Sequence, residues 1–218
     1  MSATPEPTST KRPGNAATFA AVRDWPGYFN AVAGTGPRET LVWALERFGT
    51  EQADEPRLAI DLGCGEGRDT VELLRRGWRV LAIDDEPDAL RRIETRPDLD
   101  GRERLETQRA SMESVELPKA DLVNASYALP FCRPGSFERL WAQIDNAIRP
   151  GGRFSGQLFG ETDDWAALDD RTHHTRDEVL ELLRPFEIEV LVEEQKAPNP
   201  ASAYPKRWHM FHVVARKP

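Results

Sequence analysis

The stretch LAIDLGCGEGRDT, residues 58–70, holds the densest group of residues able to do chemistry. A short apolar run ends in a glycine turn and feeds a helical pattern, which carries backbone N–H groups to the carboxyl edge of a sheet. Gly63, Gly65 and Gly67 let that backbone approach a ligand without side-chain clashes. Asp84 closes the next apolar run about twenty residues later, the spacing at which a carboxylate accepts both hydroxyls of a ribose. A dinucleotide fingerprint would need its third glycine at position 68, where Arg68 stands. Asp61 would also repel a pyrophosphate, whereas it suits a ligand carrying positive charge. Dinucleotide binding is therefore disfavoured.

Further candidates lie downstream. The segment FGETDDWAALDDRTHHT reads as a loop after a strand and as a substrate lid, with Trp165 as an aromatic wall and His174 as an acceptor for a released proton. In the last apolar run, alternation puts Trp208, Met210 and His212 on one face and His209, Phe211 and Val213 on the other. His209 is the second candidate base. Asp163 and Asp164 read as solvated, and Lys206, Arg207, Arg216 and Lys217 form a basic C-terminal strip. Cys64 and Cys132 form neither a CxxC nor a Cys/His cluster, so no metal site is expected.

These residues need a scaffold, and the hydrophobic pattern supplies one. Residues 1–16 are rich in Pro, Ser and Thr and read as a disordered tail. Residues 17–56 read as a helical cap, with Leu41, Val42, Leu45 and Phe48 at helical spacing. From residue 57 to 218, apolar runs and helical patterns alternate. The strands expected are 58–62, 78–84, 104–110, 121–125 and 153–160, followed by IEVLVEEQ and WHMFHVVARK. Phe137, Leu140, Trp141, Ile144 and Ile148 mark the inward face of a long helix, and Thr175-Arg-Asp-Glu178 has capping-box spacing. The expected architecture is one α/β domain: a Rossmann-like parallel sheet with helices on both faces and an antiparallel last strand.

Composition narrows the function. The chain has 218 residues and a net charge of −8, which disfavours nucleic acid as a bulk partner. It holds no apolar run of the ~18 residues a membrane span needs, and its first residues lack a signal-peptide core. A cytoplasmic protein acting on a small molecule is the expectation; oligomeric state is left open.

The motifs LAIDLGCGEGRDT, AIDDEP, ADLVNASYALPF and RPGGRFSGQLFG together resemble those of class I S-adenosylmethionine-dependent methyltransferases. Closest in character are the small bacterial tellurite-resistance-type enzymes, which share the GCGxGRD turn, a short N-terminal cap and a terminal strand like KRWHMFHVVARK. The resemblance runs from about residue 57 to the C-terminus and implies a seven-stranded sheet and S-adenosyl-L-methionine as cofactor. It implies that Gly63, Gly65 and Gly67 line the methionine and ribose part, with Asp61 near the amine and Asp84 on the ribose. Met112 and Glu113 would meet the adenine, although Ser111-Met112-Glu113 departs from the usual acidic-then-apolar order. Asn124 would sit where methyl donor and acceptor meet, and Arg38 would pair with the cofactor carboxylate. Trp25 and Tyr28 would act as a lid over the cofactor or as staples holding the cap. Asn124-Ala-Ser-Tyr127 resembles the N-P-P-Y loop of amino-group methyltransferases but lacks both prolines. The expected reaction is methyl transfer to a thiol, amine, carboxylate or chalcogen oxyanion. The alternatives are a macromolecular acceptor and a non-catalytic cofactor-binding protein.

Overall fold

The computed structural model describes residues 16–49 and 55–218. The expected tail falls outside these residues except for Ala16, which opens helix α1 (Ala16–Ala21). Two more helices follow, α2 (Trp25–Val32) and α3 (Glu39–Phe48). The α/β part then runs β1 (Leu58–Leu62), α4 (Arg68–Arg75), β2 (Arg79–Asp84), α5 (Pro87–Thr95), β3 (Leu105–Arg109) and β4 (Ala120–Ala125). It continues with α6 (Pro134–Ala147), β5 (Ile148–Gly160), β6 (His173–His174), α7 (Arg176–Leu182), β7 (Glu187–Lys196) and β8 (Trp208–Arg216).

The sheet order is β3-β2-β1-β4-β5-β8-β7, with β6 pairing on β5 beyond this path. Strands β1 to β5 pair in parallel, and β8 inserts antiparallel between β5 and β7. Period-two alternation sends neighbouring residues to opposite faces. Ile60, Leu81, Ile83 and Val123 join Phe137, Leu140 and Ile144 of α6 and Val179 of α7 in one core. Ala59, Val80, Ala82 and Leu122 join Leu73 and Leu74 of α4 and Ile93 of α5 in the other.

Helix α3 belongs to that second core. Its Leu41, Ala44, Leu45 and Phe48 pack with Ala59, Val80 and Val214, so α3 covers the sheet and α1 and α2 form the cap. Ile148, read from sequence as the end of a helix, is instead the first residue of β5 and pairs with Ala120. Pro150 explains the early stop, because a proline disfavours helical geometry in the residue before it. β6, with two residues, is too short to leave a periodic signal.

The strand order reverses at β1, whose neighbours are β2 on one side and β4 on the other. Connections leaving β1 and β4 therefore run to opposite sides and open a crevice at the carboxyl edge. α1 and α2 lie across it.

Candidate functional site

The turn after β1 is built by strained glycines and one carboxylate. Gly63 has φ +68°, and a Cβ there would come 2.5 Å from Ala128 Cβ. Gly67, the residue before α4, has φ +84°, and its Cβ would meet Ile93 of α5 at 2.5 Å. Neither position accepts a side chain without displacing its neighbours. Between them, Gly65 donates its N–H to Asp84 Oδ2 at 2.9 Å, while Asp84 Oδ1 accepts from the Glu86 N–H at 3.0 Å. Asp84 thus holds the loop in register at the end of β2. Burial raises its pKa, opposed by these two backbone donors.

Behind the turn lies a buried carboxylate pair. Asn124 Nδ2 donates to Asp61 Oδ1 at 2.9 Å and to Asp69 Oδ2 at 3.0 Å. Thr70 Oγ1 donates to Asp61 Oδ2 at 2.6 Å, and the Arg38 backbone N–H donates to Asp69 Oδ1 at 2.8 Å. Burial, and then the Asp69 carboxylate beside it, push the Asp61 pKa up to about 7. Such a pair invites a cation. Ser155 Oγ donates to Asn124 Oδ1 at 2.8 Å, so the amide that bridges the two acids is itself fixed by β5.

These groups open onto a cavity of about 450 Å³ at the carboxyl edge, within the size range of small-molecule sites. Asp61, Gly63, Gly65 and Asp84 line one part, and Met112 and the exposed Glu113 line the wall after β3. The cap adds Trp25, Tyr28 and Arg38. Arg38 Nη2 donates to Tyr28 Oη at 2.9 Å, and its guanidinium lies 4.4 Å from the Tyr127 ring centroid. Trp165, 4% exposed, lines the far part. The structure thus gathers most of the sequence-derived candidates around one space.

Four candidates fall elsewhere. Gly67 and Asn124 stand behind the cavity wall, one packing against α5 and the other bridging Asp61 and Asp69. His174 is buried on β6 against Phe137, with ring centroids 4.6 Å apart, and burial lowers its pKa to about 4. His209 is buried on β8, with Nδ1 2.8 Å from Thr162 Oγ1 and Nε2 3.0 Å from Glu193 Oε1. Neither histidine lines the cavity. β6 and β8 direct these rings away from the crevice, a matter of strand register that residue type cannot reveal.

Two other readings change. Asp163 is not solvated: it is 3% exposed, pairs with Lys206, and accepts from the backbone N–H groups of Trp165 and His209. The basic strip is dispersed, because Arg216 pairs with Glu187 at 3.0 Å and Lys217 pairs with Asp145. Burial raises both thiols, Cys132 to about 11, which leaves Cys64 and Cys132 weak nucleophiles.

Sequence reasoning missed several cavity residues, Asp69, Phe131, Glu194 and Lys196, and named Tyr127 only through its N-P-P-Y-like segment. It assigned no role to Trp208 and Met210, which alternation had put on a shared face of the last strand. Tyr127 carries another signal, a positive φ of 54° at the end of β4, a strained backbone of the kind found at functional sites.

Known proteins share this fold. Residues 59–152 match a family described as a methyltransferase domain. The fold matches TehB from Haemophilus influenzae with a TM-score of 0.69 at 17% identity, over 89% of this chain and 67% of that one. It also matches Burkholderia thailandensis 1,6-didemethyltoxoflavin-N1-methyltransferase, solved with 1,6-didemethyltoxoflavin and S-adenosylhomocysteine. There the TM-score is 0.64 at 22% identity, over 98% of this chain and 93% of that one. A stretch of 136 residues is 29% identical to the carboxy-S-adenosyl-L-methionine synthase of Yersinia pestis (strain Pestoides F), covering 60% of this chain and 47% of that protein. The chain spans about half the length of the curated relatives it matches. Residues 59–152 are thus similar to a methyltransferase domain, and the chain shares the Rossmann-like α/β fold of these solved structures.

Proposed function

We propose that this protein transfers a methyl group from S-adenosyl-L-methionine to a small-molecule acceptor. The observation that carries the reading is the capped carboxyl-edge cavity, lined at one end by Asp61, Gly63, Gly65 and Asp84 and at the other by aromatic side chains. The donor set fits the cofactor. The Asp61–Asp69 pair offers negative charge for an ammonium group, and Asp84 stands where ribose hydroxyls can donate to it. Arg38 supplies a guanidinium for a carboxylate. Arg68 also lines the cavity, and its buried Nη2 has no hydrogen-bond partner among the described residues, leaving a donor for a ligand acceptor. Met112 gives an apolar surface for a base, with Glu113 beside it.

When bound, the cofactor supplies a methyl carbon on a sulfonium. Asp61, Asp84, Arg38 and Met112 would hold it so that this methyl group faces an acceptor at the aromatic end of the cavity. The chain aligns donor and acceptor and excludes water. A cavity partly covered by α1 and α2 favours small acceptors over macromolecules.

The test combines purified protein, methyl-labelled S-adenosyl-L-methionine and a cell extract, followed by size filtration. Label in the small-molecule fraction is the expected result; label retained on protein or RNA overturns the acceptor class. The likeness to carboxy-S-adenosyl-L-methionine synthases raises a rival, modification of the cofactor itself, which would show as a heavier cofactor in the mass spectrum.

A further inference from the structure

The far end of the cavity is an aromatic wall. Its side chains form a third hydrophobic cluster, separate from the two cores of the sheet, built on Phe131, Phe159, Trp165 and Met210, with Trp25 and Trp208 packed against it. The rings meet edge to face. Trp25 and Phe131 lie 4.9 Å apart at 83°, Phe131 and Trp165 6.0 Å at 60°, and Trp165 and Trp208 5.4 Å at 67°. A flat ring extends such a herringbone with favourable contacts that a saturated ring does not make.

Cations already flank these rings. Lys206 Nζ lies 3.7 Å from the Trp208 centroid and 4.5 Å from that of Trp165, and the Arg171 guanidinium lies 4.7 Å from that of Phe131. Lys206 pairs with Asp163, while Arg171 and the cavity-lining Arg23 share the Asp170 carboxylate, and the buried Arg171 Nε has no hydrogen-bond partner among the described residues. At the rim, Lys196 pairs with Glu194 at 2.8 Å. A cationic acceptor would meet rings whose π faces already serve cations, beside two guanidinium groups that share one carboxylate.

We infer that the acceptor is a planar heteroaromatic molecule without positive charge, held against the Trp25–Phe131–Trp165–Trp208 wall. This rests on the methyltransferase reading and adds the acceptor's chemical class.

The experiment measures binding to protein saturated with S-adenosylhomocysteine, by ligand-observed NMR and calorimetry. The probes are quinazoline-2,4-dione (planar, uncharged), quinoline-2-carboxylate (planar anion), N-methylquinolinium (planar cation) and cyclohexanecarboxamide (saturated, uncharged). The dione and the quinoline carboxylate are each expected to bind at least about tenfold tighter than the cation and the saturated amide. In Trp208→Leu, where S-adenosylhomocysteine binding reports a folded site, that preference is expected to vanish. Equal or tighter binding of the cationic or the saturated probe overturns the proposal, as does failure of all four to bind at millimolar concentration. If S-adenosylhomocysteine itself does not bind, the methyltransferase reading fails first and this inference with it. The four-probe comparison on the unaltered protein decides the matter even if Trp208→Leu does not fold.

Discussion

At the scale of single residues, the two acids of the cofactor end answer to different tests. Asp84 accepts the Gly65 and Glu86 N–H groups and faces the cavity. Asp84→Ala is expected to weaken S-adenosylhomocysteine binding by about 1.5–3 kcal/mol, the loss of charge-assisted hydrogen bonds. Calorimetric titration measures it, and unchanged affinity would remove Asp84 from the site. Asp61 makes a prediction about pH. Its folded pKa is raised from 3.8 to about 7, so between those values the folded chain holds a proton that the unfolded chain releases. The Asp61 contribution to apoprotein stability therefore falls as pH rises through that window. Urea midpoints of the wild type are expected to drop relative to Asp61→Asn between pH 4 and 7 (a window read from that shift). A ligand ammonium would favour the carboxylate, so cofactor binding near pH 7 is expected to release protons, seen as a dependence of calorimetric heat on buffer ionisation enthalpy.

At the scale of elements, the helix ends and strand ends decide which residues reach the cavity. α7 starts with a full capping box: Thr175 Oγ1 accepts the Glu178 N–H at 3.2 Å, and Glu178 Oε2 accepts the Thr175 N–H at 2.8 Å. Thr175→Ala is expected to cost about 1 kcal/mol of stability, measurable by denaturant unfolding, with little effect on cofactor affinity because α7 contributes no residue to the cavity lining. The capping box, the paired acid at the end of β2 and the alternating strands were all legible in sequence, because each depends on neighbours a few residues apart. The roles of β6 and β8 were not. Whether His174 and His209 face the crevice depends on pairing across the sheet, where Gly160↔His174 and Gln195↔His209 set the register.

At the scale of the whole molecule, cap and sheet edge enclose the site together. Ligand binding to the folded state alone stabilises it by about 2.7 kcal/mol at a hundred times Kd, which for a chain of this size corresponds to a rise in Tm of roughly 5–11 °C. S-Adenosylhomocysteine is expected to produce such a shift in a thermal melt; NADH is expected to produce none, since Arg68 stands where the dinucleotide turn needs glycine.

The sequence alone determined the α/β class, the carboxyl-edge turn and the acid on β2. Those features are encoded by local periodicity and by residues within one β-α-β unit. Only the tertiary structure decided that Asn124 bridges two acids rather than lining the cavity, that Asp163 is buried beneath Lys206, and that Trp25, Phe131, Trp165 and Trp208 form one wall. These residues come from α2, two loops and β8, far apart in the chain. Their meeting follows from the reversal of strand order at β1 and the antiparallel insertion of β8, which bring remote segments to one edge of the sheet.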